Sequence, residues 1–215
     1  MKINYQDKFK KFLTQGLFKG LSENEELFLR EKAFEFFFTF QELKKFRSIE
    51  SKLTGHGEAH LNPEGVLISN GPLGSGVPQA QGLAIADKLL GNTRTTICVL
   101  SDGGAMEGEA KEALAAIPGL AAKNKLNPFL LVISDNNTKL GGRIDKDSFS
   151  MKQSFDSLAQ QGWDCVHVED GHNLEAVYQS IEKALETLKN QNTPIALIIK
   201  TIKGFGVKST MESAS

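Results

Sequence analysis

The chain has 215 residues, 40% hydrophobic and 24% charged, the composition of a globular protein with enough apolar material for one large core. Its 25 basic residues are balanced by 26 acidic ones, leaving a formal net charge of −1, so no global field draws it to nucleic acid or an anionic membrane. No apolar stretch reaches the roughly 18 residues that span a bilayer, and MKINYQDKFKKFL lacks the apolar centre of a signal peptide; a cytoplasmic protein is expected.

Residues 1–50 are rich in Phe, Lys and Glu. LSENEELFLREKAFEFFFTFQELKKF reads as helical, with Ser22 in N-cap position and acidic residues in the first turn. The aromatic run FEFFFTF is expected to pack into the main domain or a partner, because an exposed patch of that size is a liability. The basic clusters FKKFL and ELKKFR read as solvated helix faces.

From Gly55 onward strand, glycine-rich turn and helix alternate. Strands are predicted at VLIS (66–69), TTICVL (95–100), FLLVIS (129–134), DCVHV (164–168) and IALIIK (195–200). Between them PQAQGLAIADKLL, EGEAKEALAAIPGLAAK, SFDSLAQQG and NLEAVYQSIEKALETLKN have helical periodicity. Near-continuous apolar strands alternating with helices predict an α/β fold of three layers, a mostly parallel sheet with helices on both faces. The expected organisation is a helical segment, 1–50, packed on a single α/β domain, 51–215. Cys98 and Cys165 fall inside strand-like runs with no metal or redox spacing, as buried reduced thiols do.

Ligands of such sheets bind outside the carboxyl ends of the strands, and three strand exits carry chemistry. ISNGPLGSGVPQAQG places Gly71, Gly74 and Gly76 before a helix whose amides point back at the turn, a place for an anion or close backbone approach and equally a structural turn. SDGGAMEGE and ISDNNTKLGG place Asp102 and Asn136 at the ends of adjacent or nearby strands. A carboxylate, an amide oxygen and a backbone carbonyl make a hard oxygen set suited to Mg²⁺; the plainer reading of DNN is an Asx turn. Dinucleotide binding fits less well, because the glycines read GxxGxG and not GxGxxG.

The ordered set LKKFRSIESKLTGHGE (43–58), GPLGSG (71–76), SDG (101–103), DNNT (135–138) and KTIKGFG (200–206) resembles the diphosphate-binding (PP) domain of transketolase, a thiamine-diphosphate enzyme, from about residue 40 to 210. The resemblance implies thiamine diphosphate and Mg²⁺ (or Ca²⁺) as cofactors, the metal held by Asp102, the Asn136 side chain and the Thr138 carbonyl. It places Gly103 against the diphosphate, Gly71 and Leu73 against the thiamine, and Leu140 at the thiazolium face. Glu107 and Glu112 match glutamates at the family's subunit interface, where buried carboxylates can share a proton; the alternative for both is an exposed helix face near the N-terminal dipole. His56 matches an active-site histidine. His60 and His172 match nothing in the family and read as surface imidazoles.

Ser101 stands where the family has glycine, two additional residues separate GHGE from GPLG, and the family's two upstream histidine segments are not found in residues 1–40. The family's pyrimidine-binding domain, whose glutamate activates the thiamine, is expected from a second polypeptide or domain, since the sequence stops at Ser215. With that partner the resemblance implies transfer of a two-carbon ketol unit between sugar phosphates, and apolar surface left uncovered favours a homodimer. The alternative is a non-catalytic cofactor-binding or interaction module of the same fold. GPLGSG is less in keeping with a deoxyxylulose-phosphate synthase or a dehydrogenase component.

Overall fold

A computed structural model describes residues 44–49, 51, 53–61, 63, 66–139 and 142–213. They divide into two compact units, one ending at Ser69 and one beginning at Asn70. The helical segment expected over residues 1–50, with Ser22 and the FEFFFTF run, lies outside the described residues except at its last positions. In the first unit, residues 66–69 are not the expected strand: they form bends and irregular backbone, with Leu67 and Ile68 exposed. Three apolar residues and a serine bracketed by NPEG and NGPLG make a strand only where a neighbouring edge pairs with them, and no such pairing exists among the described residues.

The second unit begins with α1 (Gly76–Leu89), β1 (Thr96–Ser101), a 3₁₀ turn (Gly104–Met106) and α2 (Gly108–Ala122). It continues with β2 (Phe129–Asp135), the short strands β3 (Thr138–Lys139) and β4 (Gly142–Arg143), and helices α3 (Ile144–Asp147) and α4 (Lys152–Gln160). β5 (Asp164–Val168), α5 (Leu174–Leu188), β6 (Ile195–Lys200) and α6 (Lys208–Ser213) complete it. The main sheet runs β1-β2-β6-β5, parallel throughout, and β3 and β4 form a small antiparallel ribbon.

Alternate residues of β2 and β6 feed two separate cores. Cys98 and Leu100 of β1, Phe129, Leu131 and Ile133 of β2, and Ala196 and Ile198 of β6 pack with α1, α2 and α4. Leu130, Ile195, Leu197, Ile199 and Val168 pack with α5. This is the sandwich that near-continuous apolar strands require. On the α5 face Ile97 and Val99 of β1 remain exposed, as their register opposite Leu130 and Val132 makes visible.

Pro118 sits inside α2. A proline has no N–H for the carbonyl four residues back, which here is Leu114. That carbonyl accepts the indole Nε1–H of Trp163 at 2.9 Å instead. Trp163 also meets Phe129 edge-on, ring centres 6.0 Å apart, so a helix-breaking residue and a buried polar handle satisfy each other. Cys98 is buried, its thiol pushed up to about 11 by burial. Cys165 is half-buried, its thiol also raised, first by burial and then by Asp164 and Asp156.

Candidate functional site

β1 and β2 are neighbours, and their register pairs Ser101 with Ser134, so the two chains leave the sheet side by side. Ser101 does more than replace a small residue: its Oγ accepts the Gly104 N–H at 3.0 Å and closes the turn after β1. A Cβ on Gly104 would lie 2.9 Å from Leu100 Cδ1 and 3.2 Å from Ser101 Oγ, so a larger residue there would have to displace those two side chains.

That turn drives Asp102 inward, where it is wholly buried. Its Oδ1 accepts the Gly103 N–H at 2.8 Å, and its Oδ2 accepts the N–H groups of Asn136 at 2.9 Å and Asn137 at 2.5 Å. The DNN loop is thus folded onto the carboxylate. Asn137, which sequence reasoning missed, holds the loop in shape: its φ is 56°, its carbonyl accepts the Ile144 N–H at 3.1 Å and its Oδ1 accepts the Asp145 N–H at 3.0 Å. Asparagine tolerates the left-handed region better than most residues, the only signal in the sequence that could have marked it. Asn136 Oδ1 accepts the Thr138 N–H at 3.0 Å, so the Asx turn is present as well.

Charges of both signs meet at the site, where Asp135 and Asp145 share the lining of the cleft beside the loop with Arg143, Lys152, Lys200 and Lys203. Burial, and then the Asp102 charge, push the Asp135 carboxyl above its usual range, against an opposing pull from Lys200. Lys200 is itself paired with Glu169 at 3.0 Å. Among the described residues no lysine or arginine forms a salt bridge with Asp102.

An ionised carboxylate offers about four acceptor positions and an amide oxygen two. Three donors on Asp102 and one on Asn136 therefore leave an acceptor position on each. A buried carboxylate without a cationic partner, beside an amide oxygen and backbone carbonyls, fits a hard divalent cation. A cleft of about 400 Å³ opens beside this loop, lined among others by Asp135–Thr138 and Thr201–Lys203.

The glycine-rich turn before α1 belongs to the same end of the unit. Gly74 has φ 91°, and a Cβ there would lie 2.7 Å from Glu107 Cβ and 3.2 Å from the Gly104 carbonyl. The GPLG turn and the turn after β1 are therefore packed together, with Gly71 and Leu73 exposed on the first of them. Ser75 Oγ ties it down through the Pro72 carbonyl at 2.8 Å. Gly103 is buried, and a Cβ there would lie 3.9 Å from Lys139 Cα, ordinary contact distance. Glu107 and Glu112 are both exposed in the single chain. His56 belongs to the unit ending at Ser69 and is exposed, its carbonyl accepting the Thr54 hydroxyl. Leu140 lies outside the described residues. His172, read as a surface imidazole, is half-buried and has partners: its Nε2 accepts the Ile202 N–H at 2.8 Å and its ring stacks on Phe205.

Parallel strands whose carboxyl ends carry a buried aspartate and an asparagine loop, with a glycine-rich turn packed beside them, define an α/β protein of the class whose ligands bind at the strand ends. Residues 30–215 match the family described as Transketolase, thiamine diphosphate binding domain, and the chain belongs to it. Transketolase of Bacillus subtilis (strain 168) is 34% identical over 179 residues, 78% of this chain and 25% of the relative. Transketolase of Staphylococcus aureus (strain MW2) is 36% identical over 177 residues, 77% of this chain and 25% of the relative. Among solved structures, transketolase of Pichia stipitis in complex with sedoheptulose 7-phosphate superposes with a TM-score of 0.66 at 29% identity, covering 78% of this chain and 25% of that one. The chain thus spans about a quarter of the length of the relatives it matches. No helix among the described residues is long and apolar enough to cross a membrane.

Proposed function

We propose that this chain binds the diphosphate and divalent cation of thiamine diphosphate for a transketolase-type enzyme of the cytoplasm. In that enzyme a two-carbon ketol unit passes between sugar phosphates. The observation that carries the reading is Asp102, a fully buried carboxylate at the end of β1 onto which the Asn136–Thr138 loop is folded. Mg²⁺ (or Ca²⁺) would take an oxygen of Asp102, Oδ1 of Asn136 and the Thr138 carbonyl. Gly103 would leave room for the diphosphate, and Gly71, Leu73 and Leu140 would contact the thiamine.

Bound thiamine diphosphate supplies a carbon nucleophile that the protein's own side chains lack. This chain's residues orient it: the three amides on Asp102 fix the carboxylate before any ion arrives, so little reorganisation remains for binding. His56 would donate to or accept from substrate oxygens. The sugar phosphate bound to the Pichia stipitis relative supports that substrate class. Activity is expected only with a pyrimidine-binding domain or subunit, in a homodimer where Glu107 and Glu112 become buried.

The test is a calorimetric titration of thiamine diphosphate into the chain with and without Mg²⁺, with Asp102→Asn beside it. Heat that depends on the metal and disappears in the variant supports the reading. Binding that survives Asp102→Asn, or needs no cation, sinks the metal assignment. Ketol transfer that appears on mixing with a pyrimidine-binding domain supports the enzymatic role, and a stable complex without turnover favours the non-catalytic module.

A further inference from the structure

Residues 169–173 join β5 to α5, and the last four of them each have a separate task. Asp170 Oδ1 accepts the His172 N–H at 3.0 Å. Gly171 donates its N–H to the Lys200 carbonyl at 2.8 Å, and a Cβ there would lie 2.6 Å from both Ile199 Cγ2 and that carbonyl, so only glycine lets the turn sit on the end of β6. Asn173 caps α5, its Oδ1 accepting the Ala176 N–H at 3.1 Å.

His172 is left to reach the chain that leaves β6. Its Nε2 accepts the Ile202 N–H at 2.8 Å, which requires that nitrogen to be unprotonated. Its ring lies nearly parallel to Phe205, centroids 3.7 Å apart and planes 11° apart. The segment it grips runs through two left-handed glycines, Gly204 and Gly206, whose backbone adopts many conformations unless something selects one. The same segment is anchored to the cation loop's strand: Thr201 donates its N–H to the Asp135 carbonyl at 2.9 Å, and its hydroxyl lies 2.8 Å from Ser134 Oγ. Thr201, Ile202 and Lys203 line the cleft that Asn136 and Thr138 also line.

We propose that His172 is a positioning residue: its unprotonated Nε2 selects the conformation of residues 201–207 and so forms the wall of the cleft beside the cation loop, the ring filling the space against Phe205. What the cleft receives rests on the function proposed above; the grip on Ile202 does not. His172→Phe keeps a ring for Phe205 and removes the acceptor. His172→Gln keeps an acceptor at similar reach and removes the ring.

The experiment measures amide hydrogen exchange at Ile202 in the full chain without cofactor, then the affinity for thiamine diphosphate with Mg²⁺. Exchange at Ile202 is expected to rise about fivefold or more in His172→Phe, the value of one hydrogen bond, and to stay within about twofold in His172→Gln. Affinity is expected to fall in the same order while the melting temperatures of the two variants agree. Equal protection of Ile202 in all three proteins overturns the proposal, and so does His172→Gln behaving like His172→Phe. An affinity unmoved when Ile202 opens also overturns it, leaving a tie that only stabilises the fold. Affinity retained in Asp102→Asn would instead refute the cation reading, and the exchange at Ile202 would still decide the grip.

Discussion

The backbone N–H of Asn137 donates to Oδ2 of Asp102 at 2.5 Å across 35 positions of sequence. With Gly103 and Asn136 it completes a set of three amides around one buried carboxylate. Asp102→Asn replaces one oxygen by an NH₂ group that cannot accept. All three amides then lose a charged acceptor, each worth roughly 1.5–3 kcal/mol; at least one is left with no acceptor, and two are if the NH₂ takes the Oδ2 place. A loss of about 3 kcal/mol is expected in denaturant unfolding. Stability equal to the wild type would mean that the loop does not depend on the carboxylate.

Asn137 separates backbone strain from side-chain bonding. Asn137→Gly keeps the left-handed φ of 56° and loses the bond to the Asp145 N–H, an expected cost of about 1 kcal/mol. Asn137→Ala loses that bond and adds a left-handed penalty of roughly 1–2 kcal/mol. If alanine proves no worse than glycine in the same melts, the conformation is not what constrains this position.

Two glycines of the GPLGSG turn should respond differently. Gly74→Ala must place a Cβ at 2.7 Å from Glu107 Cβ on a backbone with φ 91°, so a loss of about 2 kcal/mol or more is expected. Gly71→Ala meets nothing within 4 Å and should leave stability within about 0.5 kcal/mol. It should weaken thiamine diphosphate binding if Gly71 lies against the ligand. A large stability loss in Gly71→Ala, or unchanged cofactor affinity, would remove it from the site.

The sheet was legible wherever apolar runs were continuous, and the bounds of β5 and β6 match the predicted runs. Residues 66–69 had the same local texture, yet strand formation depends on a paired edge that local pattern does not encode. In the site, Asp102 and Asn136 were legible because two strand exits 34 positions apart must emerge together if their strands are neighbours, as they are. Asn137 and His172 were not, because their roles arise from a left-handed φ and from a contact 30 residues away in sequence. Ser101 stood out only as a departure from the family, whereas its hydroxyl closes the turn. Pro118 in a helical run is illegible without Trp163, the donor that takes its place.

The Pro118–Trp163 pairing gives a double-variant test. Trp163→Phe leaves the buried Leu114 carbonyl without its 2.9 Å donor, an expected cost of roughly 1–3 kcal/mol beyond the change in packing. Pro118→Ala restores an N–H at the position four residues on, able to satisfy that carbonyl within the helix. The cost of Trp163→Phe should therefore be smaller by about 1 kcal/mol in the Pro118→Ala background. Additive effects would show that Leu114 does not link the two residues.

Asp87 offers a dependence on pH with a defined sign. It is buried at the end of α1 and accepts from Asn92 Nδ2 at 2.9 Å and Arg94 Nε at 3.1 Å, with a further bond from Arg94 Nη2. The Arg94 hydrogen bonds, then that of Asn92, hold its carboxyl below the usual range against the opposing effect of burial. A depressed folded-state value means that the unfolded chain binds its proton more readily, so folding is favoured above the ordinary carboxylate pKa of about 3.9. That contribution is lost as the pH falls through the lower folded-state value. Asp87→Asn cannot titrate. The wild type should therefore melt above the variant at pH 7, and the gap should narrow steadily as the pH is lowered from 5 toward 2. A gap independent of pH would mean that Asp87 acts through shape and neutral hydrogen bonding rather than through its charge.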